Sequence, residues 1–187
     1  MAERQSHGFA FQRAIIAKYG LTPDVGYTAQ WDAHRGSVPV SIKSAKAGCE
    51  VELGDLFRNA SIDYDFYMIV GFWSGLSKEI IDERCLLIDG DDWAGLFTHE
   101  SDQIIKDFLH EITNARNDDA AWRVFVDDMK HRWAVATRNL VRPRFKRDHK
   151  IQKRMQCAIS WDDFYGYFVP RYECRMDAAQ PAGGGAW

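Results

Sequence analysis

Asp32 and Lys43 flank a turn signal, Gly36-Ser37, and each lies in a segment that alternates apolar and polar residues. An acid beside a lysine on one strand-pair face suits metal-assisted phosphodiester cleavage. The acid holds a hard cation such as Mg2+, the cation stabilises charge developing on the phosphate, and the lysine orients or helps deprotonate the attacking water. Val25, Tyr27, Ala29, Trp31 and Ala33 alternate with Gly26, Thr28, Gln30 and Asp32, while Val38, Val40 and Ile42 alternate with Pro39, Ser41 and Lys43. A period of two predicts two strands. With Gly36-Ser37 as the turn, Ala33 faces Val40 and Trp31 faces Ile42 on one side; Asp32 faces Ser41 and Gln30 faces Lys43 on the other. Asp32 is then diagonal to Lys43, about 7–8 Å between backbones, which a lysine side chain spans. A slip of one residue would bury the charges, so the apolar pattern selects this register.

Magnesium usually needs another protein oxygen. Glu50, Glu52 and Asp55 follow Lys43, and Gly54-Asp55-Leu56-Phe57-Arg58-Asn59 reads as the first turn of a helix from which Asp55 turns back toward Asp32. Asp24, after Pro23, competes for the metal role. Asp32 ranks ahead because its strand position shares a face with Ser41 and Lys43, whereas Thr22-Pro23-Asp24 reads as a turn.

The residues Trp31-Asp32, Val40-Ser41-Ile42-Lys43-Ser44 and Gly54-Asp55-Leu56 resemble the PD-(D/E)XK nuclease superfamily, whose type II restriction endonucleases carry an acid and then a strand ending in acid-x-Lys. The chain departs from that pattern at Ser41. Some restriction endonucleases have Ser-x-Lys here with the acid moved to the following helix, so the resemblance implies Asp55, or else Glu52, as its equivalent beside Asp32 at the metal. Gln12 stands on the first helix where some members carry a metal-site Glu. The resemblance covers roughly residues 6–75. It implies a restriction-endonuclease-like core, a Mg2+-dependent endonuclease cutting double-stranded DNA at a specific sequence, and a homodimer matching two-fold DNA symmetry. The alternative, motivated by Ser41, is a non-catalytic DNA-binding protein on the same fold.

Residues 142–154 carry seven Lys or Arg against one Asp, which leaves −9 for the rest of a chain whose net charge is −3. An acidic protein with its positive charge concentrated this way fits a phosphate backbone, with binding that weakens steeply with salt. Lys146, Lys150, Lys153 and Arg154 are the preferred phosphate contacts. Arg35 at the hairpin turn is a further candidate, with Arg4, Arg13 and His34 behind it.

These groups must be held by a frame, and 187 residues with 46% hydrophobic content bury a sizeable core without staples. Phe11, Ile15 and Tyr19 mark a helix over 6–19, stopped by Gly20. The apolar run 66–73 and Cys85-Leu86-Leu87-Ile88 read as strands covered on both faces. Helices follow Ser101 and Asp118, a strand pair is expected over 134–142 and 151–159, and Ser160 opens an aromatic helix with Asp163 at the capping-box position. Trp31, Trp73, Trp122, Trp133 and the stripe Phe164, Tyr165, Tyr167, Phe168 read as packing residues rather than base-stacking platforms. The expected class is α/β: a central mixed β-sheet flanked by helices, one domain over 1–176, and a disordered tail over 177–187.

Cys49, Cys85, Cys157 and Cys174 show no metal-ligand spacing and read as reduced thiols. No stretch approaches the length of a membrane-spanning helix and the first residues lack the apolar core of a signal peptide, so a cytoplasmic location is the default expectation. There is no G-x-G-x-x-G, G-x-x-x-x-G-K-[ST], H-E-x-x-H or G-x-S-x-G motif.

Overall fold

A computed structural model describes residues 2–24, 30–97, 103–108, 110, 119–136, 140–147 and 153–179. In chain order the elements are α1 (Ala2–Tyr19), β1 (Thr22–Pro23), β2 (Ala33–Arg35), β3 (Val38–Lys46), β4 (Val51–Asp55), α2 (Leu56–Ala60), β5 (Phe66–Trp73), β6 (Ile80–Ile88), α3 (Gly90–Ala94) and α4 (103–108). Then come α5 (Asp119–Ala136), β7 (Arg142–Arg147), β8 (Lys153–Ile159), α6 (Trp161–Asp163), a π-helical turn at Phe164–Phe168 and α7 (Val169–Tyr172). The class is α/β, as expected.

The single body expected over 1–176 divides into two compact units, 1–47 with 65–88 and 168–187, and 48–64 with 89–167. Each is assembled from separate stretches of chain, so no linker marks the division.

The first unit holds a five-stranded mixed sheet in the order β1-β2-β3-β5-β6. β3 and β5 run parallel and every other neighbouring pair is antiparallel. Phe11 and Ile15 of α1 join Ala33, Val40, Ile42, Ile69 and Cys85 in one buried cluster, which sets α1 on one sheet face. Gly71 makes the close approach possible, because a Cβ there would stand 2.3 Å from Phe11 Cζ. Gly20, at φ +60°, ends α1 in the left-handed region that glycine tolerates. Just before it, Lys18 Nζ and Tyr19 Oη both donate to Glu83 Oε1, at 2.8 and 2.6 Å.

One expectation changes here. Thr22-Pro23 is a short edge strand paired with Ala33 and His34, a place where proline's missing N–H does no harm. Residues 25–29 of the expected first hairpin strand lie outside the described residues. Met176, at the end of the expected domain, is buried in the α1 cluster, and in the stretch after it Ala179 N–H donates to Lys18 O at 3.0 Å. Residues 180–187 lie outside the described set.

The second unit carries the antiparallel sheet β4-β8-β7. Its core is aromatic. Phe108 meets Phe57, Trp122, Phe125 and Phe145 with ring centroids 5.4–6.4 Å apart. Buried Trp93 and Trp133 send their indole N–H groups to Asn59 O and Val141 O, both at 2.8 Å, which settles the polar end of each ring. The expected strand at 134–142 is displaced: α5 continues to Ala136 and the strand begins at Arg142, so the first half of the basic segment is itself β7. Ser160 caps α6 by accepting the Asp163 N–H, while the Asp163 carboxylate takes the Ser160 hydroxyl and Arg142 Nη2.

Candidate active site

The β2–β3 hairpin turns at Gly36-Ser37, with Gly36 at φ +62°, and pairs Ala33 with Val40, His34 with Pro39 and Arg35 with Val38. This is the register read from the alternation. The ladder stops at Ala33, however, and the expected pairs Trp31–Ile42, Asp32–Ser41 and Gln30–Lys43 are not among its partners. Asp32 leaves the strand in a bend. Its own N–H still donates to Val40 O at 3.1 Å, but the next bond runs from Ile42 N–H to Asp32 Oδ2 at 2.7 Å. A carboxylate has taken the place of a ladder carbonyl, and charge-assisted bonds of this kind are the stronger ones. The side chain is thereby laid along β3, where Lys43 Nζ reaches the same Oδ2 at 3.3 Å. Both side chains are about a quarter exposed, 26% for Asp32 and 25% for Lys43, so the pair is anchored yet open to solvent.

Ser41 is buried rather than solvated, in a stretch of β3 paired along β5. It lies beside Met68; Lys43 lies beside Val70, which in turn faces Arg84 on β6. A second cation therefore shares a cross-strand row with Lys43. Arg84 donates to Glu173 Oε1 at 2.8 Å and Asp82 Oδ2 at 3.0 Å, and these bonds, Glu173 first, hold its pKa above the ordinary arginine value. Neither Arg84 nor Glu173 stood out in the sequence. The alternation of Asp82, Arg84 and Leu86 places Arg84 on a sheet face, but nothing local names its partner 89 positions away.

The two acids that compete for the metal role, Asp24 and Asp32, have different partners. Asp24 Oδ1 is 2.8 Å from His34 Nδ1, and Asp32 is the acid at Lys43. His34 is therefore a paired residue of β2. Arg35 lies over the Tyr67 ring at 5.9 Å, and Tyr67 packs against the α1 cluster, so Arg35 sits on the face opposite Lys43. Gln12 is half-buried on α1 next to Phe11, and Gln30 is exposed in the bend.

Asp55 and Glu52 belong to the second unit. Asp55 is the N-cap of α2, with Oδ1 accepting the Arg58 N–H at 3.0 Å, and Glu52 is an exposed residue of β4 opposite Ala158. Among the described residues no group of three or more His, Cys, Asp or Glu side chains gathers as metal ligands. Asp32 nevertheless suits a hard cation in one respect. The bonds from Ile42 N–H and Lys43 Nζ both fall on Oδ2, and Oδ1 has no partner among the described residues. Mg2+ is commonly held by one or two carboxylates with water and substrate phosphate filling its octahedron.

The basic segment separates into two halves. Arg142 binds Asp163 and Arg144 binds Glu50 through both Nε and Nη2, so these cations are neutralised within the second unit. Beyond them the backbone register sets Lys146 opposite Arg154 and Arg147 opposite Lys153. Like charges directly opposed across a strand pair are destabilising unless a counter-charge is supplied. Lys150 lies outside the described residues. No helix of the described residues is long and apolar enough to cross a membrane.

No family model, no curated protein and no solved structure matches this chain.

Proposed function

We propose that this protein is a Mg2+-dependent endonuclease of the type II restriction kind, acting as a homodimer on double-stranded DNA. The observation that carries the proposal is the Asp32 carboxylate, pinned through Oδ2 by Ile42 N–H and Lys43 Nζ while Oδ1 remains to meet a hard cation. When bound, Mg2+ would neutralise charge developing on the scissile phosphate. Lys43, held beside the acid, would position or help deprotonate the attacking water. The cationic residues of β7 and β8 that the backbone register sets opposite one another would meet the phosphate backbone. Asp55 and Glu52 keep a metal role in this proposal only if Asp55→Asn or Glu52→Gln weakens Mg2+ binding.

A second reading, a DNA-binding protein without catalysis, is favoured by Ser41: β3 offers a buried hydroxyl where an acid would reinforce the cation site. One assay separates the two. Long duplex DNA is incubated with the protein and Mg2+, then with EDTA. Discrete fragments formed only with metal support the nuclease; retarded but intact DNA supports the binder. Lys43→Ala should abolish cutting while leaving DNA retention nearly unchanged, and normal cutting by that variant would remove Lys43 from the chemistry.

A further inference from the structure

Cys85 and Cys174 are 89 positions apart in sequence, yet their sulfur atoms stand 3.5 Å from each other. Cys85 lies on β6 inside the cluster beneath α1, and Cys174 follows α7 and is half-buried. The backbones are joined at the same point: Cys174 N–H donates to Cys85 O at 2.9 Å, and Leu86 and Glu173 form an antiparallel bridge beside them. Glu173 is tied down again by Arg84, and buried Met176 and the Ala179–Lys18 bond anchor the strap further along. Two thiols are thus held by neighbouring, paired backbones.

We propose that Cys85 and Cys174 form an oxidisable dithiol site that closes reversibly to an intrachain disulfide, stapling the strap 173–179 onto β6. Closure brings the sulfurs from 3.5 Å to about 2.05 Å, a movement within the reach of side-chain rotation when the backbones are already adjacent. The oxidant is a small-molecule disulfide such as oxidised glutathione. The Cys174 thiolate attacks one of its sulfurs, the S–S bond breaks, and one glutathione leaves as thiolate and takes up a proton. The Cys85 thiol then loses its proton and attacks Cys174 Sγ in the mixed disulfide, expelling the second glutathione. Two protein thiols are oxidised and one glutathione disulfide is reduced to two thiols. Burial pushes the Cys85 thiol well above its ordinary pKa, with the neighbouring Cys174 adding to the rise, so the half-buried Cys174 attacks first and Cys85 resolves.

The test uses the full chain with the exposed Cys49 replaced, Cys49→Ser, so that a surface adduct does not mask the result. Native protein is incubated with oxidised glutathione, and its mass, accessible thiols and melting are followed. The expected result is a mass loss of about 2 Da, a peptide pair joining Cys85 to Cys174, and full reversal by dithiothreitol. The melting temperature should rise by about 5 °C or more. Adding Cys174→Ser should abolish all of these changes. The proposal is overturned if both thiols persist, if a glutathione adduct stays on Cys174 while Cys85 remains alkylatable after denaturation, or if the Cys174→Ser protein still loses two thiols.

Discussion

Replacing Asp32 separates what the carboxylate does for the fold from the metal role proposed for it. In Asp32→Ala the N–H of Ile42, a residue only 7% exposed, loses its 2.7 Å acceptor. Leaving such a donor unsatisfied costs about 1–3 kcal/mol. The Lys43 ion pair, with both side chains about a quarter exposed, adds at most about 1 kcal/mol. In Asp32→Asn an amide oxygen can still accept the Ile42 N–H. The loss is then the difference between a charge-assisted and a neutral hydrogen bond, about 1 kcal/mol. Stability measured by thermal or urea unfolding should therefore fall in the order wild type, Asn, Ala, with about 2–4 °C in Tm for each kcal/mol in a chain of this size. Metal-dependent cleavage should fall in both variants alike, by about 10³-fold or more, because the neutral amide is a poor ligand for Mg2+ and the Lewis-acid contribution is worth several kcal/mol. An Ala variant as stable as wild type would refute the account of the Ile42 bond. An Asn variant that cuts DNA normally would refute the metal role of Asp32, whatever its stability.

Gly71→Ala should destabilise by about 1–3 kcal/mol through overpacking, since the new Cβ meets Phe11 at 2.3 Å, and a Phe11→Leu background should relieve part of that cost in a double-mutant cycle. Asp55→Ala should cost about 0.5–2 kcal/mol as a lost N-cap, read by chemical denaturation. At high pH the contact of α1 with β6 should weaken: the bond to Glu83 raises the Lys18 pKa, and burial followed by that same contact raises the Tyr19 pKa. Both groups hold their protons more tightly folded than unfolded, so their contribution is full below about pH 10 and is lost as pH climbs through the raised values. Glu83→Gln should flatten this alkaline limb in a Tm-against-pH series. For DNA retention, neutralising Lys153 and Arg154 together should lower the slope of log K against log salt by about 2, whereas Arg144→Gln, whose cation is already held by Glu50, should leave the slope unchanged.

Local pattern made part of this fold legible. Eight apolar residues without alternation marked 66–73 as a covered strand, and β5 occupies that span; two turn residues between alternating segments fixed Ala33 against Val40. What failed to show was whatever depends on partners far along the chain. Alternation on β3 could not reveal that Ser41 would be buried, because a strand's own period does not say which stretch of its polar face other parts of the chain cover. Nor could it reveal the division into two units, since each is built from separated segments. The strand expected at 134–142 gave way to α5, whose packing through Trp133 carries the helix past Ala134 and Val135.

The acid at position 32 is the instructive case. Alternation selected it as a strand residue facing Ser41, and the structure places it beyond the end of the strand. The residue is the same but the cause is different. A strand position would have fixed only the direction of its Cβ, leaving the carboxylate free to choose a rotamer. Acceptance of the Ile42 N–H fixes the carboxylate itself, at an energy comparable to the ladder bond it replaces. Lys43, one residue further along β3, then meets a carboxylate already held in place, so less conformational entropy is lost in forming the pair than if both side chains were free. Such preorganisation is what the proposed catalysis at a phosphate would require, and its structural origin is the exchange of a ladder carbonyl for a side chain.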